Sequence, residues 1–87
     1  MKMLTVEIVE KLGENKFWVT GRCCEDDLHV GDILWSDNLP AVSVLVKRIE
    51  LYRKNVNVLH HGYVGGVIVE ILTGYDFPSL GYLHDQV

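Results

Sequence analysis

The chain has 87 residues, enough for one domain with a single small hydrophobic core and too few for two. Its apolar fraction of 48% excludes a disordered chain, and no basic segment leads into a long apolar one, which argues against a secretory signal or a membrane span. A net charge of -4 makes it a poor general binder of polyanions, because Lys and Arg supply most of the nonspecific affinity for phosphate.

Residues 1–87 are therefore expected to form one domain, and nearly every segment reads as strand. MLTVEIVEK (3–11) alternates Leu4, Val6 and Ile8 with Thr5 and Glu7, giving one buried face and one wet face. LGEN (12–15) supplies turn chemistry, and KFWVTGRCC (16–24) is rich in strand formers. EDDL is a polar tip, and HVGDILWS returns as a short strand, so residues 17–34 read as a β-hairpin. Gly31 fits a bend or a close backbone approach. Asp37-Asn38-Leu39-Pro40 is a loop, since its proline has no donor for a ladder.

AVSVLVKRIELYRK (41–54) changes its apolar phase from Val42, Val44 and Val46 to Ile49 and Leu51. A period-2 element does that only by gaining a residue or bending, so a bulge or a break is expected there. After the less regular NVNVLHHGY, GGVIVEILT (65–73) is a strongly apolar strand, and a last short strand surrounds Gly81-Tyr82-Leu83. No helical period of useful length occurs. About six or seven short strands at this spacing predict an all-β fold, a small closed antiparallel barrel.

Motifs for catalysis are scarce. No Gly-x-x-x-x-Gly-Lys-Ser/Thr is present, so nucleotide hydrolysis through a P-loop is not expected. Gly62, Gly65 and Gly66 precede a strand rather than a helix N-terminus and form no phosphate cradle. His29, His60, His61 and His84 lack the spacing of a zinc site, and neighbouring histidines on a strand diverge, so no metal ligand is assigned. The adjacent Cys23 and Cys24 point to opposite faces of a strand, which disfavours a bridge between them and suits a reducing, cytoplasmic setting. Glu25, Asp26 and Asp27 beside them oppose thiolate formation. The chain reads as a non-enzyme with no cofactor. Trp18, Trp35, Tyr52 and Tyr63 could form a stacking platform for single-stranded nucleic acid, but aromatic burial favours Trp18 and Trp35 as barrel filling or end caps.

Charge is unevenly spread. Lys47, Arg48, Arg53 and Lys54 fall within eight residues, positions 55–87 hold no Lys or Arg, and Glu25, Asp26 and Asp27 form an acidic knot. The basic cluster could hold an RNA end.

Val19-Thr20-Gly21-Arg22, the acidic turn and Leu28-His29-Val30-Gly31-Asp32 resemble the second, β-barrel domain of translational GTPases, elongation factor Tu among them. Ile49-Glu50-Leu51-Tyr52-Arg53-Lys54, then Gly62 and Gly66-Val67-Ile68-Val69, continue that resemblance in order and spacing, over roughly residues 5–87. The first strand and turn lack the glycine-rich turn of that family, and Tyr63 replaces its usual polar residue. The resemblance implies a stand-alone barrel that binds a protein or RNA component of the translation machinery, including the aminoacyl end of tRNA. On it, Thr20 matches a threonine near the aminoacyl pocket, while Glu50 and Arg53 match the groups that contact the terminal nucleotide. A carboxylate accepts from a ribose hydroxyl and Arg pairs with phosphate, with Tyr52 and Lys54 completing the contact edge. On a regular strand Glu50 and Arg53 face opposite sides, so the strand must twist or end near Arg53. The other reading is a small acidic immunity or antitoxin-type protein, whose Glu25, Asp26 and Asp27 tip would plug a basic cleft such as that of a nuclease toxin.

Overall fold

Residues 1–36, 42–74 and 81–85 are described in a computed structural model of the chain. The loop expected at Asp37–Pro40 lies outside them. Among the described residues ten strands follow in order: β1 (Lys2–Val6), β2 (Ile8–Lys11), β3 (Lys16–Glu25), β4 (Leu28–His29), β5 (Ile33–Ser36), β6 (Ser43–Leu51), β7 (Lys54–Val56), β8 (Val58–Leu59), β9 (Val64–Thr73) and β10 (Gly81–His84). No helix among the described residues is long and apolar enough to cross a membrane.

All pairings in the main sheet are antiparallel, and the order β1-β10-β5-β6-β9-β3 closes when β3 pairs back onto β1. Six strands thus make the barrel, with β2 and β7 as extensions along β3 and β6. The short β4–β8 sheet presents Leu28 and Leu59, both fully buried, to the core. Alternation sets the interior: Phe17, Val19 and Cys23 from β3, Val67, Val69 and Ile71 from β9, Leu4 and Val6 from β1, and Leu83 from β10.

The first strand is broken where the sequence read it as continuous. Leu4 sits opposite Cys23 and Ile8 opposite Thr20, so three intervening residues, Thr5 to Glu7, face only two, Gly21 and Arg22. The chain here crosses closely over β3, and a Cβ on Gly21 would overlap the Thr5 carbonyl oxygen. The bulge expected in residues 41–54 is present: the β6–β9 register slips between Val46 and Arg48, so Lys47 is the extra residue.

Two expectations are corrected. The stretch 17–34 is not a hairpin, because both edges of β3 are taken, one by β9 and the other by β2 and then β1. The returning β5 therefore crosses away to pair with β6 and β10. The tryptophans do not fill the barrel: Trp18 and Trp35 stand at outward positions of β3 and β5, half-buried, and among the described residues the interior is aliphatic apart from Phe17 and Cys23. Strand parity decides this, since Trp18 lies between the inward Phe17 and Val19.

Candidate functional site

Outward residues of β3, β9 and β6 form a groove of about 320 Å³ lined by Trp18, Thr20, Glu50, Tyr52, Arg53 and Gly66, among others. Its floor follows from register. Thr20 pairs with Gly66, and Gly66 pairs with Glu50, so one row across three strands carries a hydroxyl, a bare backbone and a carboxylate. The indole of Trp18 lies over Gly66 so closely that a Cβ there would overlap the ring. Trp18 Nε1 donates to Thr20 Oγ1 at 3.1 Å, which fixes the ring on the groove floor.

The rim is a tight turn. Leu51 pairs with Lys54, leaving Tyr52 and Arg53 as a two-residue loop, with φ of 52° and 64°. Positive φ at both central positions is the geometry of a type I′ turn, which favours Asn-Gly; bulky L-residues there are strained. Tyr52 is 84% exposed despite its size. This turn also solves the facing problem of Glu50 and Arg53: β6 ends at Leu51, and the reversal brings Arg53 back to the side of Glu50. Neither the Glu50 nor the Arg53 side chain makes a hydrogen bond or ion pair among the described residues, so carboxylate and guanidinium both stay available to a ligand.

Thr20, Glu50, Tyr52 and Arg53 are thus brought together as the sequence suggested, while Lys54 begins β7 and lies outside the groove lining. Trp18, one of the four aromatics considered as a stacking platform, lines the same groove, and the alternation of residues 16–24 places it on the same face as Thr20.

The acidic tip is built differently from a free charged spike. Asp26 Oδ2 accepts from the chain's α-amino group at 2.7 Å, which lowers the carboxyl pKa and raises that of the amine. Asp27 bonds to His60 Nδ1 at 2.9 Å and accepts from the His61 amide at 2.9 Å. These bonds, the His60 one foremost, hold its pKa at about 2. Glu25 is exposed, with φ of 64° at the end of β3. His60 and His61 thereby serve as partners of Asp27. Among the described residues no three His, Cys, Asp or Glu side chains gather as metal ligands would.

Other motif residues are structural. Asp32 Oδ2 accepts from the His29 amide at 2.7 Å and from Lys2 Nζ at 2.8 Å, fastening the turn at Gly31, whose φ is 97°. An added Cβ on Gly31 would meet open space, so backbone conformation, not close approach, requires glycine. The Arg22 guanidinium donates to the Gly62 carbonyl, and Gly62 and Tyr63 exchange backbone bonds with Cys23. Cys23 is buried, and burial raises its thiol pKa; Cys24 is half-buried.

No family model matches the chain, and no curated protein matches it. Among solved structures, translation elongation factor SelB from Methanococcus maripaludis aligns in its apo form and in complex with the GTP analogue GppNHp. Each comparison gives a TM-score of 0.78 at 21% identity, over 94% of this chain and 18% of SelB. The chain spans less than a fifth of SelB's length, and at this identity the likeness is one of fold. That fold is the translation-factor β-barrel, the one expected from the second domain of translational GTPases.

Proposed function

We propose that this barrel is a non-catalytic binding module of the translation machinery, working in the cytoplasm, whose Trp18–Arg53 groove receives the 3′-terminal nucleotide of an RNA. The observation that carries this reading is the convergence of Trp18, Thr20, Glu50, Tyr52 and Arg53 on one groove. Each group has a task. Trp18 and Tyr52 offer faces for a base, Glu50 accepts from the ribose 2′,3′-diol that only a 3′ end carries, and Arg53 pairs with the phosphate. Strain held in Tyr52 and Arg53 fits a turn kept for its side chains rather than its stability. The translation setting rests on the fold shared with SelB and on the resemblance of Glu50 to Lys54 to the nucleotide-contacting segment of elongation factor Tu. The immunity-type alternative has less support, since two of its three tip carboxylates are already engaged within the chain.

Titrating Trp fluorescence with the RNA trinucleotide CCA in a Trp35→Phe background tests the reading. Saturable quenching is expected, weakened by roughly 1–3 kcal/mol when Tyr52 becomes Ala. It should also weaken when Arg53 becomes Ala, or when the RNA ends in a 2′,3′-dideoxy sugar. Quenching that is absent, or indifferent to these changes, would sink the proposal.

A further inference from the structure

A second groove, about 290 Å³, lies on the same outer face and is lined by Leu12, Lys16, Lys47, Arg48 and Ile68. We propose that it is a phosphate-backbone subsite for single-stranded RNA, holding the nucleotides that precede the one seated against Trp18. This inference rests on the reading of the Trp18 groove given above.

Three observations carry it. The first is continuity. Trp18 pairs with Ile68 across β3 and β9, and Ile68 pairs with Arg48 across β9 and β6. Gly66, in the first groove, and Ile68, in the second, stand two residues apart on one side of β9, about 7 Å at strand rise. A strand leaving the first groove along β9 therefore runs directly over the second.

The second is the bulge. Between the buried Val46 and Ile49 a regular strand would expose a single residue or send a charge inward. The extra residue leaves Lys47 and Arg48 adjacent and both exposed, facing the same groove. A bulge is a way to re-aim a side chain, and here it doubles the cations at one point on the sheet.

The third is charge. The chain is acidic overall, yet Lys16 from β3 joins Lys47 and Arg48 around this groove. The opposing acid is Glu70, which pairs with Lys47 at 3.6 Å and stands opposite Lys16 in register. Lys16 and Arg48 form no ion pair among the described residues. Glu10, opposite Trp18, is exposed at the edge of the face and borders the path without lining the groove. An apolar floor of Leu12 and Ile68 beneath cations suits a strand whose sugars touch the floor and whose phosphates meet the rim. The basic cluster seen in the sequence is thereby divided, with Arg53 serving one groove and Lys47 and Arg48 the other.

The test is binding of oligoadenylates, from one to four nucleotides long, to the wild-type chain and to Lys16→Gln/Lys47→Gln/Arg48→Gln. The wild type should gain affinity with each added nucleotide. The variant should bind AMP as the wild type does, yet lose roughly tenfold or more for the tetranucleotide, with the salt slope reduced by about 2 for three lost phosphate contacts. Equal affinity of variant and wild type for every length would overturn the second subsite while leaving the terminal-nucleotide reading intact. Failure of the wild type to bind any of them would overturn both. A poly-glutamate peptide that binds as tightly as the tetranucleotide, with the same loss in the variant, would assign the patch to an acidic protein and overturn the RNA subsite. Should the triple variant unfold, Arg48→Gln alone decides the same question through a slope change of about 0.7.

Discussion

The indole of Trp18 and the absent side chain at position 66 work as a pair. The ring lies flat because nothing projects from Gly66, and its nitrogen is held by Thr20. Gly66→Ala should therefore lift the ring from the floor and impair RNA binding, at a stability cost of about 1–3 kcal/mol for overpacking. Gly21→Ala should behave differently. Its Cβ would meet backbone, the Thr5 carbonyl, which cannot swing aside as a ring can, so a larger loss of stability is expected on chemical denaturation. A second test concerns Asp27. Its pKa in the folded chain, about 2, lies below the ordinary carboxylate value, so its bonds to His60 and His61 stabilise the fold above that ordinary value. The contribution disappears as pH falls from about 4 toward 2, and Asp27→Asn should narrow its stability gap to the wild type over that window in pH-dependent unfolding. Of these contacts, little was legible in the sequence. Alternation places Trp18 beside Thr20, but only the register of β3 against β9 brings Gly66 under the ring, and His60 reaches Asp27 from more than thirty positions away.

At the scale of elements, the β6–β7 hairpin is the informative case. Its turn residues, Tyr52 and Arg53, both occupy the left-handed region that L-side chains adopt at a cost of about 1–2 kcal/mol each. Replacing them by Asn-Gly should raise the stability of the chain by about 2–4 kcal/mol, since that pair adopts the turn without strain. The same change should abolish nucleotide binding, because both side chains line the groove. A variant that gained stability and kept full affinity would show that the turn is not the binding rim. The phase shift of residues 41–54 was readable as an added residue or a bend because strand parity allows only those two, and the slip between Val46 and Arg48 is the added residue. The misread element was the hairpin at 17–34. Sequence adjacency favours pairing of neighbours, but β1 and β2 take the edge of β3 that the return strand would have needed.

Across the whole molecule, the barrel is closed by its two ends. β10 lies between β1 and β5, with Leu83 opposite Leu4 and Ser36, and Leu83 and Leu4 are fully buried. The all-β class and the closed barrel were legible from strand count and turn spacing, whereas closure itself depends on pairings between the two ends of the chain that no local pattern encodes. That dependence is testable. Leu83→Ala removes a buried side chain from the strand that joins the ends, and should cost about 2–5 kcal/mol, a large share of the roughly 5–15 kcal/mol that holds a domain folded. Tyr82→Ala, one residue earlier on the outward face, should change stability by about 0.5 kcal/mol or less, as surface substitutions do. If the two variants lost equal stability in urea, β10 would be held by its backbone bonds alone. If Leu83→Ala also exposed the edges of β1 and β5, its denaturation would become less cooperative and its solubility would fall, because unpaired edges recruit other strands. The candidate grooves lie on the β3–β9–β6 side and do not include β10, so a Leu83→Ala chain that still folds at low temperature should bind RNA with unchanged affinity. That separation of stability from binding is the expected signature of a barrel whose closure supports the site without contributing to it.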